Sequence, residues 1–71
     1  MIKLYSTGCP KCKVLKIKMS LKNIAYEEIN DINEMKARGF MSAPMLDVDG
    51  KVYAFSEALQ WVKEQEVRVN G

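Results

Sequence analysis

The apolar positions of this 71-residue chain change period several times, and each change marks an element. Met1–Tyr5 is a short apolar run that reads as a strand, and Ser6-Thr7-Gly8 behind it has turn composition. From Pro10 to about Lys22 the apolar side chains recur at helical spacing. Proline suits the first helical turn, where its missing N–H costs nothing, and Asn23 can end the helix. Ile24, Tyr26 and Glu28 then alternate with Ala25, Glu27 and Ile29, which predicts a second strand over 24–30. Asp31 with Glu34 three residues on resembles a capping box for a short helix to Arg38, closed by Gly39. Pro44–Val48 reads as a third strand, Asp49-Gly50 as a two-residue hairpin turn, and Lys51–Phe55 as a fourth strand. Ser56 is expected to cap a last helix from Glu57 to about Glu66, with Leu59, Trp61 and Val62 facing inward. Residues 67–71 form a tail with no assignable element.

The resulting order is β-α-β-α-β-β-α. A β-α-β crossover is right-handed and parallel, and a two-residue hairpin is antiparallel. One mixed four-stranded sheet flanked by three helices satisfies both, so the chain reads as an α/β single domain over 1–71. The first helix carries two apolar stripes. Cys12, Leu15 and Met19 share one side; Val14, Ile17 and Leu21 lie nearly opposite, with lysines between. Because apolar stripes ordinarily bury, the first is expected against the sheet and the second against the last helix, near Trp61. The alternative is an exposed strip flanked by lysines, available to a partner.

Composition narrows the class. An apolar fraction of 48% is that of a globular protein. No apolar stretch approaches the ~18 residues that span a bilayer, and Met1–Tyr5 is too short for a signal segment. A monomer in the cytoplasm, with no membrane partner, is the expectation. Net charge is only +2, but residues 1–22 hold six lysines and no acid, whereas residues 23–71 hold five basic and nine acidic residues. The lysine-rich stretch has no arginine and no interleaved aromatics, which argues against nucleic acid. Positive potential beside the cysteines instead favours a thiolate and anionic partners.

The two cysteines, in Cys9-Pro10-Lys11-Cys12, fall where a strand hands over to a helix. The free N–H groups and positive dipole end of a helix N-terminus stabilise a thiolate, the nucleophilic form. A zinc site needs about four ligands, and two cysteines with no histidine cannot supply them within one chain. A permanent structural disulfide is unusual in the cytosol. A zinc site shared between two chains stays open as an alternative, and the placement at a helix N-terminus makes thiol–disulfide exchange the main inference.

A strand, Cys-Pro-Lys-Cys opening a helix, and Ser42-Ala43-Pro44 opening a third strand resemble the glutaredoxins within the thioredoxin fold. The run Arg38-Gly39-Phe40-Met41-Ser42-Ala43-Pro44 looks especially like the NrdH-type redoxins. Those are glutaredoxin-like in sequence, are reduced by thioredoxin reductase and feed ribonucleotide reductase. The resemblance implies that Cys9 is the attacking thiol and Cys12 the resolving one. It also implies that Pro44 is a cis-proline facing them and that the Ala43 backbone pairs with an extended substrate. Pro10, Lys11 and Ser56 join this substrate-binding set. It implies an oxidoreductase of electron transport and cell redox homeostasis that reduces protein disulfides and has no tightly bound cofactor. The electron donor is thioredoxin reductase or glutathione.

Three departures weigh against glutathione. Lys11 stands where glutaredoxins usually carry an aromatic residue, and Ser6 stands where they usually carry a lysine. Phe55-Ser56-Glu57 stands where they usually carry a Gly-Gly pair and an acid. An alternative from another class is a glutaredoxin-like binding module with incidental redox activity.

Overall fold

The computed structural model describes residues 1–66, so the tail at 67–71 lies outside the described residues. Strands β1 (Ile2–Tyr5), β2 (Glu27–Ile29), β3 (Met45–Val48) and β4 (Lys51–Tyr53) alternate with helices α1 (Pro10–Leu21), α2 (Ile32–Ala37) and α3 (Phe55–Glu64). The order in the sheet is β2-β1-β3-β4. β1 runs parallel to β2, while β3 is antiparallel to both β1 and β4. The expected mixed four-stranded sheet with three helices is therefore present.

Strand alternation sorts the two faces. Ile2 and Leu4 on β1, with Leu46 on β3, enter the main core with Leu15 and Met19 of α1, Ile24, and Ala58 and Val62 of α3. Register makes this coherent, because Leu4 lies opposite Leu46 and Tyr5 opposite Met45. The other face carries buried Tyr5 beneath the α2 end. Its ring meets Phe40 edge-on at 4.9 Å, and Arg38 donates to Tyr5 Oη at 2.8 Å and to Asp47 Oδ2 at 2.6 Å. That guanidinium holds the nearly buried Asp47 carboxyl below its usual range.

The turns follow local chemistry. Asn23 adopts φ 55° just past α1, where Ile24 N–H reaches back to Met19 O. The Asp31 side chain accepts from Asn33 N–H and Glu34 N–H and caps α2. Asp49 and Gly50 both have positive φ, as a type I′ hairpin demands, and Asp47 Oδ1 accepts from Gly50 N–H.

Several boundaries differ from the sequence reading. β2 begins at Glu27 rather than Ile24, because Ile24 turns into the core and pairing with β1 starts only at Lys3–Glu27. β3 begins at Met45, the partner of Tyr5, and Pro44 precedes it. β4 stops at Tyr53, so Phe55 belongs to α3 and not to the strand. Ser56 is not the cap of α3. That position is Ala54, which makes no side-chain cap, and Ser56 lies inside the first turn.

The stripes of α1 correct one expectation. Cys12, Leu15 and Met19 are buried as expected, but Val14, Ile17 and Leu21 are exposed. The last helix does not cover them. It sends Ala58 and Val62 into the shared core and turns Trp61 toward Tyr53 of β4, with ring centroids 6.4 Å apart. Leu15→Ala is therefore expected to cost about 2–5 kcal/mol in chemical denaturation. Ile17→Ala is expected to change stability by no more than ~0.5 kcal/mol. Equal losses for the two would contradict this packing.

Candidate functional site

Cys9 is the N-cap of α1, with the extended backbone that position requires (φ −71°, ψ 163°). A cap accepts a hydrogen bond from a helix N–H two or three residues on. Here the acceptor is sulfur: Cys9 Sγ receives Cys12 N–H at 3.3 Å. Pro10 occupies the next position without wasting a donor. One helical turn then returns the chain to Cys12, whose side chain is fully buried while Cys9 is half-buried. The two sulfurs lie 2.8 Å apart, close enough to share a proton.

On the other side of Cys9 lies the turn before β3. The Ala43–Pro44 peptide bond is cis, and the Cys9 thiol points at Ala43 O at 3.8 Å. The thiol donates to that carbonyl, whereas the thiolate accepts from Cys12. The surrounding hydrogen bonds shift the balance toward the second state. The Cys9 pKa is lowered, first by the hydrogen bond from the Cys12 side chain and then by Cys12 N–H. The Thr7 side chain and Lys11 N–H add to this, and partial desolvation opposes it.

Lys11 thus acts through its backbone. Its ammonium sits over the Phe55 ring at 5.5 Å, so the expected stabilisation of the thiolate by lysine charge is replaced by hydrogen bonds. Pro10 is exposed beside Cys9, and Ala43 is half-buried. Ser56 is elsewhere: it is exposed on a hollow it shares with Tyr53, Gln60 and Trp61.

Two features escaped the sequence. A hollow of about 240 Å³ opens next to Ala43, walled by Thr7, Ile32, Met35, Phe40 and Met41. Its signal was an apolar Ile32 and Met41 in otherwise polar segments. The second is a polar network beneath the first turn. Ser6, completely buried, donates to Glu28 Oε2 at 2.7 Å, and Asn30 Nδ2 donates to Ser6 O and Ser6 Oγ. Lys16 of α1 forms an ion pair with Glu28. Ser6 is therefore committed to holding the cysteine turn against β2. A spacing of 22 residues between Ser6 and Glu28 carries no sequence signal. Among the described residues no group of three or more His, Cys, Asp or Glu side chains converges as a metal site would require.

Two measurements follow. Thiolate absorbance near 240 nm in the reduced protein is expected to titrate for Cys9 below the ordinary thiol range; a midpoint in that range or higher would contradict the geometry. Glu28 is held at about 2, chiefly by the Lys16 ammonium and then by Ser6 and Asn30. A carboxyl whose folded pKa is depressed stabilises the fold above its unfolded pKa, and that stabilisation is lost as pH falls through the folded value. Stability is thus expected to decline between pH 4.5 and about 2. Glu28→Gln should lower stability at pH 7 and flatten that acid limb, as read by urea midpoints across pH.

This geometry has known counterparts. Residues 1–60 match the family model described as a thioredoxin domain. An uncharacterized glutaredoxin-like 8.6 kDa protein in the rubredoxin operon of Clostridium pasteurianum is 37% identical over 60 residues, covering 73% of this chain and 80% of that one. The crystal structure of a point mutant of the thioredoxin-like protein BC3987 superposes with a TM-score of 0.69 at 32% identity, covering 92% of this chain and 96% of that one. With a cysteine-capped helix facing a cis-proline turn in that frame, the chain belongs to the thioredoxin-domain family, as a glutaredoxin-like member.

Proposed function

We propose that this protein is a dithiol–disulfide oxidoreductase that reduces protein disulfides. The observation that carries the reading is the pair of sulfurs 2.8 Å apart, one half-exposed at a helix N-terminus and one buried a turn behind it. A free thiol of pKa ~8.5 is only about 3% thiolate at pH 7, so hydrogen bonds that favour the Cys9 thiolate raise the reactive fraction directly.

The Cys9 thiolate attacks one sulfur of a substrate disulfide. A Cys9–substrate disulfide forms, and the other substrate sulfur leaves as a thiolate that takes a proton from solvent. Cys12 loses its proton and attacks Cys9 Sγ. The Cys9–Cys12 disulfide closes, and the second substrate sulfur departs as a thiol. The protein has given two electrons, which an external dithiol or reductase must restore. Burial of Cys12 keeps it from competing for substrate before the mixed disulfide exists. Ala43, whose carbonyl faces Cys9 Sγ, offers backbone to an extended substrate strand, and Pro10 and Lys11 are exposed next to Cys9 in the chain.

A protein reductant of the thioredoxin reductase kind fits this chain better than glutathione. Phe55 and Ser56 bring side chains to the start of α3, Lys11 is occupied over Phe55, and Ser6 is buried in its own network. Ribonucleotide reductase is the substrate that the resemblance to NrdH-type redoxins favours. A cytoplasmic setting agrees with a cycling dithiol, and no described helix is long and apolar enough to cross a membrane.

Cys9→Ser is expected to abolish insulin reduction, and Cys12→Ser to accumulate a mixed disulfide visible by mass spectrometry. Retained activity in Cys9→Ser would overturn the assignment. NADPH with thioredoxin reductase should drive turnover faster than glutathione does with hydroxyethyl disulfide. No activity in either assay would leave the binding module as the better reading.

A further inference from the structure

The first helix carries a line of apolar side chains that the fold leaves uncovered. Pro10, Val14, Ile17 and Leu21 follow one another along α1 at spacings of four, three and four, opposite the buried Cys12, Leu15 and Met19. Val14 is 41% exposed, Ile17 59% and Leu21 68%. At its far end Leu21 forms one wall of a hollow of about 460 Å³ between α1 and α3, lined also by Leu59 and Val62 and edged by Lys18, Lys22 and Lys63. The continuous patch is on the order of a few hundred Å², the size at which an apolar patch on a small protein signals an interaction site.

Charge says what covers it. Residues 1–22 contain no carboxylate. Among the described residues the α1 lysines make one ion pair, Lys16 with Glu28, and it lies on the sheet side of the helix. Lys22 Nζ is held by the Gln65 carbonyl at 2.7 Å. Lys13 and Lys18, on the two flanks of the strip, have no carboxylate partner among the described residues. A surface complementary to this one is apolar at its centre and acidic at both edges.

We propose that the strip docks a protein partner that exchanges a disulfide with Cys9 and presents an apolar patch ringed by Asp and Glu. This inference rests on the dithiol reading above. Continuity supports it, because the strip begins at Pro10, the neighbour of Cys9 on the same helix. At ~1.5 Å per residue Leu21 lies about 18 Å along the axis from Cys9, within the reach of one ordinary footprint of about 800 Å² per partner. A patch smaller than that footprint suits a partner that must leave after each turnover. The absence of arginine and aromatic side chains from the strip fits neither a nucleic acid nor a lipid headgroup region as well as it fits a protein.

The test compares wild type with Ile17→Asp and with the double variant Lys13→Glu, Lys18→Glu. Both sites are solvent-exposed, and circular dichroism checks the fold. Three probes are used: insulin with dithiothreitol, thioredoxin reductase with NADPH, and the small neutral hydroxyethyl disulfide. For at least one of the two proteins, kcat/KM is expected to fall about tenfold or more in Ile17→Asp. In the charge-reversed variant it should fall several-fold and lose its dependence on salt. Hydroxyethyl disulfide turnover and the Cys9 titration should stay within about twofold of wild type in both.

Unchanged rates with both proteins would overturn the docking surface and leave the dithiol reading intact. Wild-type protein inert toward all three probes would overturn the dithiol reading and the docking surface with it. Three other results would each name a different occupant and overturn the proposal. One is a concentration-dependent dimer abolished by Ile17→Asp. Another is sedimentation with phosphatidylglycerol vesicles abolished by the same change. The third is a tenfold gain with insulin in a chain ended after Glu66, which would show residues 67–71 covering the strip.

Discussion

The hydrogen bond from Cys12 N–H to Cys9 Sγ holds the site together, and the rest of the structure is arranged to make it. A helix must satisfy the N–H groups of its first turn, and an oxygen-bearing side chain usually does so. Here a sulfur takes that place, and the group that completes the helix is also the group that reacts. The bond is best when Cys9 is a thiolate, so the helix is most fully capped in the reactive state. Stability of the reduced protein and readiness for attack are thereby coupled with the same sign. The Cys9 pKa is lowered, so the stabilisation is present above the unfolded thiol pKa and is lost as pH falls through the folded value.

That bond depends on how β1 delivers the chain. Leu4 and Tyr5 are locked on opposite faces of the sheet, Leu4 into the main core and Tyr5 against Phe40 and Arg38. The strand direction at Ser6 is then determined from both sides. Ser6 is buried and tied to Glu28 and Asn30 on β2 and just beyond it, while Lys16 joins the same carboxylate from α1. Strand, turn and helix therefore meet at one carboxylate lying under the cysteine turn. The lowered pKa of Glu28 is the measurable trace of that arrangement. Ser6 is the small hydroxyl that this buried position accommodates while still donating to Glu28.

The sequence was most legible where local chemistry decides. Asn23, Gly39 and Asp49-Gly50 all adopt positive φ, and each was readable because few residue types tolerate it. Asp31 caps α2 for the same kind of reason. Cys9 at a helix start was readable because a strand ends four residues before it and a proline follows. Tertiary decisions were not legible. Ser56 looks like a cap, but the end of pairing at Tyr53 places the helix start two residues earlier than the serine requires. The Ser6–Glu28–Lys16 network joins three segments with no sequence relation. Ile17 and Leu21 have the spacing of buried residues. Only their exposure in the folded chain shows that α3, whose Trp61 packs near Tyr53, leaves them uncovered.

The exposed strip and the hollow beside Ala43 answer one problem from two sides. On the proposed reading the protein meets two kinds of partner at a single sulfur, one that takes electrons and one that supplies them. Both must reach Cys9, so neither can rely on contacts at the sulfur alone for recognition. The fold offers two surfaces, one on each side of the cysteine turn. One is the apolar hollow walled by Phe40 and Met41, toward α2. The other is the lysine-flanked line from Pro10 to Leu21, on the outer face of α1. Their chemistries differ: the first is recessed and rich in adaptable side chains such as Met35 and Met41, and the second is convex and cationic at its edges. A concave, adaptable surface suits flexible segments of varied sequence, whereas a convex charged one suits a folded partner of constant shape. That contrast gives each of the two surfaces a different kind of partner to fit, so a single reactive sulfur does not oblige both partners to share one recognition surface.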